Sequence, residues 1–321
     1  MTLPGKGQSP LRRFGKVVVQ VGLTVAITWF ILKAVGFSLE ELWQYDLSGI
    51  HPRWGLLFLS SAILLGAYLY SAALWGLMVR EIGLHEVGLL PALRVFFTAN
   101  LGRYLPGKVW QIAGLALLAK GEGVPPATAT AAAILGQAFS IAGATLVGAG
   151  VLLESGWGGR IGAEWAGVLL LLILLLSTVP AVLRALLGLW FRLARQSAPG
   201  GFRPDTAFGV RWMGLYALGW VFQGLAFWVL VRALGFDLNL MQAAPAYSAA
   251  YVLGYLILVA PAGAGIREGM LVVFLGTPLG AGAAVAAIVA RLWTTVVELV
   301  PAVLLGSRYL KSNKREEADV V

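Results

Sequence analysis

The sequence contains no cysteine, two histidines and few charged residues for its length. Without cysteine there can be no disulfide framework, thiolate metal site or cysteine nucleophile. His51 and His85 fall in separate predicted loops, so a solvated loop position explains them better than a shared metal site. Charged residues make up 12% of the 321 residues, against about 25% in a typical soluble domain. A soluble globular fold of this size is therefore excluded.

Sequence motifs for nucleotide use and for common enzyme classes are also missing. No GxxxxGK[ST] phosphate loop is present, which argues against ATP-driven movement by this chain alone. HExxH, GxSxG and the protein-kinase motifs are absent as well. No predicted loop is long enough to form a soluble catalytic domain. We therefore expect no cofactor and no metal, and we favour a function other than enzymatic catalysis without excluding an enzyme.

Apolar residues are abundant instead, at 59% of the chain, and many lie in long runs. A run of about 20 apolar residues is long enough to cross a bilayer as a helix. The runs predict an all-α polytopic membrane protein with about six spanning helices, at 17–35, 54–79, 127–153, 163–183, 212–234 and 281–305. Together they form a single transmembrane domain, 17–306, between a basic tail at 1–16 and a second tail at 307–321.

Two further apolar stretches, 88–120 and 243–279, are interrupted by proline and glycine. The breaks contain Pro106 and Gly107 in the first stretch, and Pro261, Gly263 and Gly265 in the second. Most of the limbs beside these breaks are too short to cross about 30 Å of hydrocarbon at about 1.5 Å per residue. Each stretch is therefore predicted to be a re-entrant helical hairpin, buried in protein or lining a cavity.

The distribution of basic residues predicts the orientation of this arrangement. With the amino terminus in the cytoplasm, 14 of the 24 Lys and Arg residues fall in cytoplasmic segments and four outside. Basic residues favour the cytoplasmic side of membrane proteins. The pattern predicts that both termini are cytoplasmic. It also favours the re-entrant hairpin at 243–279, because one extra crossing there would move the basic tail Arg308–Arg315 outside.

A weak internal similarity suggests that the chain is duplicated. The segment Ala132–Gln137 resembles Ala286–Arg291, 154 residues later, and each follows one of the predicted hairpins. The predicted topology gives the two hairpins opposite orientations. A repeated helix–hairpin–helix unit with opposite orientations is the inverted repeat of secondary transporters, whose broken helices form the substrate site.

Ionisable residues within apolar segments are the first candidates for function, because they are costly to place in hydrocarbon. Arg291 and Glu298 lie two turns apart on the last predicted span, about 10 Å in rise, so we expect each to meet a partner elsewhere. Two interpretations stay open for them: pairing that only stabilises the bundle, or lining of a polar cavity.

The hairpin tips supply the other candidate substrate-binding residues. At the second tip, small residues and a helix start favour an anion site, with Arg267 able to bind phosphate and Glu268 beside it. A tight turn stabilised by a Glu268–Arg267 ion pair is the alternative. The first tip offers Arg103, Tyr104 and Lys108, whose cations could instead reach the membrane interface.

These tip motifs resemble those of a known family. Asn100–Trp110, followed by Gly123-Val124-Pro125, and the later segment Pro261–Gly269 followed by Arg291 are similar to the two signatures of the lysylphosphatidylglycerol synthetase transmembrane-domain family. The resemblance implies an integral membrane protein of lipid or polyprenyl-linked sugar pathways. The soluble aminoacyl-transferase domain of the two-part members has no counterpart here, and Val109-Trp110-Gln111 departs from the pattern of many relatives.

The leading hypothesis is a lipid flippase or transporter in the cell (inner, cytoplasmic) membrane. It would move an anionic or zwitterionic phospholipid, or a polyprenyl-phosphate-linked lipid, with the headgroup at the hairpin tips. The alternative is an intramembrane transferase, or an accessory subunit of lipid or cell-envelope polysaccharide synthesis, for which Glu268 is the best candidate base. Membrane lipids are the expected partners, with a separate lipid-modifying enzyme or glycosyltransferase as a further candidate and no nucleic acid. Scaffolding and transport of a small anion also stay open.

Overall fold

A computed structural model describes residues 51–83, 85–104, 109–154, 163–193, 195, 202–256 and 265–319. Every regular element in these ranges is helical, which confirms the predicted all-α class for the described part of the chain. In chain order, with α1 the first described helix, the elements are α1 (Trp54–Gly83), α2 (Leu89–Asn100), α3 (Val109–Gly121), α4 (Pro126–Glu154), α5 (Ala163–Thr178), α6 (Pro180–Leu193), α7 (Thr206–Ala233), α8 (Leu240–Leu256), α9 (Ile266–Leu279) and α10 (Gly282–Asp319).

Four of these helices are long and apolar enough to cross a membrane: α1, α4, α7 and α10. They correspond to four of the six predicted spans. The predicted span at 17–35 lies outside the described residues. The start of α7 is six residues earlier than predicted because Asp205 caps it, its carboxylate accepting the backbone N–H of Phe208 at 2.7 Å. At the other end of the chain, α10 continues to Asp319, through most of the segment predicted as a tail.

The predicted span at 163–183 is divided in the structure. It forms the 16-residue α5, and α6 then begins at Pro180. Proline has no backbone N–H and its ring clashes with the carbonyl four residues earlier, so it suits the first turn of a helix and interrupts the interior. Beyond the break, α6 buries Leu183, Leu187 and Phe191. These residues are spaced four apart and therefore lie on one face of the helix.

Each stretch predicted as a hairpin contains two short helices that pack side by side. In the first, α2 and α3 run antiparallel: the Gln111 amide donates to the Asn100 side-chain oxygen at 2.6 Å. Further from the tip, a Cβ on Gly114 would lie 3.3 Å from Ala99. In the second, α8 contacts α9 where Gly254 faces Arg267. Entry and exit of each hairpin on one side of the membrane stays a prediction.

Within the described residues, two groups of four helices follow the same order of long, short, short and long, α1–α4 and α7–α10. Their first helices are antiparallel, because backbone and side-chain hydrogen bonds join Arg53 to Ala233, Ser60 to Ala226 and Tyr70 to Leu215. The first hairpin helix of each unit packs against the last helix of the other: α2 contacts α10, and α8 contacts α4. Antiparallel equivalent helices and reciprocal hairpin contacts are what an inverted repeat predicts.

Small residues allow α4 to approach the second unit closely. A Cβ added to Gly143 would lie 2.6 Å from the backbone N of Ala217 on α7. One added to Gly148 would lie 2.8 Å from the backbone N of Ala249 on α8. Close backbone approach through small residues is typical of helix packing in membranes. It places α4 directly against the helices that carry the candidate site.

Candidate functional site

A cavity between the two hairpins and α10 brings together four of the seven predicted substrate-binding residues. Its wall includes Arg103, Arg267, Arg291 and Glu298, from four separate positions in the chain. About 910 Å³ of empty space lies between the lining residues, part of it continuous with the exterior. Its other polar lining residues are Tyr68, Gln111, Gln137, Tyr251, Tyr255 and Thr294.

Arg103 joins the first hairpin to α10. Its guanidinium lies 3.1 Å from one carboxylate oxygen of Glu298 and 3.3 Å from the other. The Glu298 side chain is 4% exposed and that of Arg103 is 28% exposed. Arg103 therefore turns towards α10, which favours a position at the cavity over the alternative that it reaches the membrane interface. The 3-10 helix Leu101–Tyr104 at the end of α2 positions it.

Glu268 links α9 to α10. One carboxylate oxygen accepts the backbone N–H of Gly265 at 2.6 Å, and the other lies 3.6 Å from Nε of Arg291. Gly265 adopts a φ of +82°, a conformation that side-chain-bearing residues rarely take. The turn, the start of α9 and the Arg291 contact thus depend on one buried carboxylate. The expectation that Arg291 and Glu298 meet partners elsewhere, rather than each other, agrees with this arrangement.

Arg267 stacks on aromatic rings. Its guanidinium lies 4.5 Å from the ring centre of Tyr247 and 5.7 Å from that of Tyr251. Within the described part of the chain, no carboxylate forms an ion pair with Arg267. The cation that pairs with Glu268 is Arg291 rather than Arg267, so the alternative of a tight turn stabilised by an ion pair stays open with a different partner.

The tyrosines of α8 beside the cavity were not anticipated from the sequence. Tyr251 and Tyr255 line the cavity, and the buried Tyr247 contacts Arg267. The three are spaced four residues apart on α8, and this spacing places them on one helix face. That pattern could have identified a stacking surface. Gln137, for which helix packing was the favoured role, lines the cavity, and its amide nitrogen is buried without a hydrogen-bond partner among the described residues.

Lys108, Pro106, Gly107, Pro261 and Gly263 lie outside the described residues. Tyr104 ends the 3-10 helix, and its side chain is also outside the description. Among the described residues, there is no group of three or more His, Asp or Glu side chains placed to hold a metal ion.

A second pocket adjoins the first. It is lined by Ser71, Asn100, Ser140, Tyr216 and Gln223, and it shares Tyr68, Arg103, Gln137, Tyr251 and Arg267 with the first pocket. The two pockets therefore adjoin each other at Arg103 and Arg267, which belong to different hairpins.

The four long apolar helices and the enclosed charges support a multi-pass integral membrane protein. Over residues 17–306 the sequence matches the family described as the lysylphosphatidylglycerol synthase TM region. The chain belongs to this family, which confirms the resemblance seen in its two tip motifs. A comparison with curated proteins gives no match. The family indicates a membrane function related to lipids.

Proposed function

We propose that this protein is a flippase of the inner (cytoplasmic) membrane that moves a phospholipid or a polyprenyl-phosphate-linked lipid between leaflets. The observation that carries the proposal is the convergence of Arg103, Arg267 and Arg291 on one cavity within an apolar helix bundle. Guanidinium groups bind phosphate oxygens through paired hydrogen bonds. A phosphate headgroup would therefore lie in the cavity while its hydrocarbon chain stays among apolar helices.

The two-pocket arrangement supports movement rather than simple retention. Arg103 and Arg267 line both pockets, so a headgroup could pass from one to the other without leaving its cationic partners. Charged groups that would be unfavourable in hydrocarbon are thereby solvated by the protein along the route. Each arginine belongs to a different hairpin.

The packing of the units supplies a route for alternating access. Each hairpin contacts the last helix of the opposite unit, and Arg103 reinforces one of these contacts through Glu298. Rocking of one unit against the other would separate one such contact while retaining the second. Without a nucleotide motif in the chain, movement would be downhill or coupled to an ion gradient.

The alternative of an intramembrane transferase receives less support from the site. Glu268 was its best candidate base, but this side chain is 8% exposed and is bound to the Gly265 N–H and to Arg291. These contacts assign the carboxylate to the turn before α9 and to the Arg291 contact rather than to a reacting group. Cooperation with a separate lipid-modifying enzyme or glycosyltransferase remains compatible with flippase activity.

The test is lipid movement by the purified full-length protein in liposomes. Phosphatidylglycerol with a fluorescent acyl chain, followed by dithionite quenching, should redistribute faster than in protein-free vesicles. Arg267→Ala and Arg291→Ala should each slow the movement by about tenfold, the factor that corresponds to about 1.4 kcal/mol. Arg232→Ala is the matched control, because Arg232 pairs with the exposed Asp237 away from the cavity.

Two results would count against the proposal. If the wild-type protein moves no lipid, the flippase function is wrong. If the wild type moves lipid but the Arg267 and Arg291 variants do so at an unchanged rate, the cavity is not the headgroup site. Each variant should first show an unchanged elution profile in detergent, so that slow movement does not reflect unfolding.

A further inference from the structure

We infer that the second pocket binds an uncharged, hydroxyl-bearing part of the lipid headgroup, such as a glycerol or a sugar, between Gln137 on α4 and Gln223 on α7. This inference rests on the proposed function and adds a second subsite beside the one for the phosphate. It concerns the hydroxyl groups of the headgroup, whatever its charge. Three features of the described residues support it.

The first feature is the chemistry of the pocket lining. Among the described residues, no carboxylate lines the second pocket, and its two cations, Arg103 and Arg267, are shared with the first. Four side-chain amides from four helices line it instead: Asn100 on α2, Gln111 on α3, Gln137 on α4 and Gln223 on α7. An amide offers both donors and acceptors, which is what a hydroxyl group requires. The lining therefore matches a neutral, hydroxyl-bearing group better than a second ion.

The second feature is the register in which α4 packs against α7. A Cβ on Gly143 would lie 2.6 Å from the backbone N of Ala217. Three residues earlier on α4, the hydroxyl oxygen of Ser140 accepts the indole N–H of Trp220 at 3.2 Å, and Trp220 lies three residues later on α7. The two helices are therefore antiparallel here, and a step of three residues back along α4 matches a step of three forward along α7.

One further step brings Gln137 opposite Gln223, and both side chains line the second pocket. Polar side chains that face each other across membrane helices commonly form hydrogen bonds. The amide nitrogen of Gln137 is nevertheless buried without a partner among the described residues, so it donates no bond to Gln223. Because the last torsion of a glutamine is broad, this amide can turn towards a ligand in the pocket and donate to a hydroxyl oxygen.

The third feature is the position of Gln137 in the repeat. The segment Ala132–Gln137 resembles Ala286–Arg291, and α4 and α10 are the last helices of their units. Gln137 therefore has in the first unit the place that Arg291 has in the second. Arg291 lines the first pocket, whereas Gln137 lines both. At equivalent positions, one unit thus supplies a cation, which suits a phosphate, and the other supplies a neutral amide, which suits a hydroxyl group.

These features fit a single bound headgroup. Arg103 and Arg267 line both pockets, so a phosphate bound by them can extend the group esterified to it into the second pocket. The other ester of the phosphate leads to the hydrocarbon chains among the apolar helices. The glycerol or sugar then lies between Gln137 and Gln223.

The experiment compares two lipids that differ only in headgroup hydroxyls. Phosphatidylglycerol and phosphatidyl-1-propanol have the same phosphodiester, the same charge and the same number of headgroup carbons, but the second lacks both hydroxyls. Acyl-labelled forms of each are followed by dithionite quenching in proteoliposomes of the full-length protein. Phosphatidylglycerol should move about tenfold faster, because phosphatidyl-1-propanol forms no hydrogen bonds with the amides.

Gln137→Met and Gln223→Met should each reduce this preference to about twofold or less, because methionine fills a similar space without an amide. Gln242→Met is the matched control, since Gln242 is exposed on α8 and lines neither pocket. It should keep the full preference. The two test variants are on different helices, so either one is informative if it elutes from a sizing column as the wild type does.

Binding provides a second measurement that does not depend on transport. Native mass spectrometry of the detergent-purified protein with short-chain forms of both lipids should show preferential retention of phosphatidylglycerol. The preference should be lost in Gln137→Met and kept in Gln242→Met. Glycerol 1-phosphate, which has the same hydroxyls and no acyl chains, tests a water-soluble source of the headgroup. An excess of it should not displace phosphatidylglycerol.

The outcomes separate the subsite from the function on which it rests. Equal movement and equal retention of the two lipids, or a preference that both glutamine variants keep, would overturn the subsite and leave the flippase standing. If no lipid moves and glycerol 1-phosphate displaces the lipid, the flippase is wrong and the pocket serves a soluble ligand. Preferential movement and retention of phosphatidylglycerol, lost in a glutamine variant that elutes as wild type, would support both.

Discussion

The guanidinium of Arg103 lies 3.1 Å from the carboxylate of Glu298, although the two residues are 195 positions apart in the sequence. Arg103 lies in the 3-10 helix that follows α2 in one unit, and Glu298 belongs to α10, the last helix of the other. Their contact joins the two units at the cavity wall. It makes the ion pair both a structural tie and part of the candidate site.

Removing the Glu298 charge should destabilise the protein markedly. In Glu298→Gln, Arg103 would keep its charge with less compensation, and breaking such a largely buried pair costs about 3 kcal/mol. The midpoint of thermal unfolding in detergent, followed by tryptophan fluorescence, should fall. Asp237→Asn is the matched control, because its partner contact with Arg232 is exposed and should matter little. Equal midpoints for Glu298→Gln and wild type would show that the pair is not a structural tie.

The ring of Tyr247, not its hydroxyl, should matter for the site. The hydroxyl is buried without a hydrogen-bond partner among the described residues, whereas the ring faces Arg267 at 4.5 Å. Tyr247→Phe should keep lipid movement and leave stability unchanged or raised, because it removes an unsatisfied buried group. Tyr247→Leu should slow movement severalfold by removing a cation–π contact of about 1–2 kcal/mol. Loss of activity in the phenylalanine variant would contradict this assignment.

The turn before α9 should tolerate no side chain at Gly265. Its φ of +82° is strained for alanine, by roughly 1–2 kcal/mol, and its N–H holds Glu268 in place. Gly265→Ala should lower both stability and the rate of lipid movement. Gly235→Ala is the matched control, since Gly235 has a φ of +89° and open space around a Cβ, but lies outside the cavity. The control should lose stability and keep its rate; a parallel loss of rate would show that strain alone explains the effect.

Close packing of α4 on α7 should make Gly143 sensitive to a single methyl group. The added Cβ would lie 2.6 Å from a backbone nitrogen that cannot rotate away, and such overpacking costs about 1–3 kcal/mol. Gly150, on the same helix, has nothing within 4 Å of an added Cβ. Gly143→Ala should lower the unfolding midpoint, whereas Gly150→Ala should leave it unchanged or raise it through helix propensity. A similar midpoint for both variants would contradict the close approach.

The natural absence of cysteine allows the membrane topology to be tested without altering the background. We expect Cys introduced at Glu86 or Glu122, on either side of the first hairpin, to react with an impermeant maleimide only from the cytoplasm. Cys at Asn239 or Ala281, on either side of the second hairpin, should react only from outside. This follows from the excess of basic residues in the predicted cytoplasmic segments. Labelling of the two flanks of either hairpin from opposite sides would contradict a hairpin that enters and leaves together.

Much of the helical framework could be predicted from apolar run length and from Pro and Gly. Runs such as 54–79 and 281–305 are long enough to identify α1 and most of α10. The break at Pro180 was missed because the residues on both sides of it are apolar. An average hydropathy over these residues does not change when one backbone N–H is lost. Likewise, α7 begins six residues before the predicted span because Asp205 caps its first turn. Hydropathy does not report a local hydrogen bond of this kind.

The sequence by itself determined that the chain is a helical membrane protein with a few charges in apolar segments. Long apolar runs and the charged residues within them can both be read from neighbouring residues, and hydrocarbon excludes most charge from such runs. Only the tertiary structure decided which charges meet. Arg103 pairs with Glu298, Arg291 with Glu268, and Arg267 stacks on Tyr247. These partners are distant in sequence or separated by turns, so their proximity depends on how the two units pack. The cavity that brings Arg103, Arg267 and Arg291 together exists only after that packing.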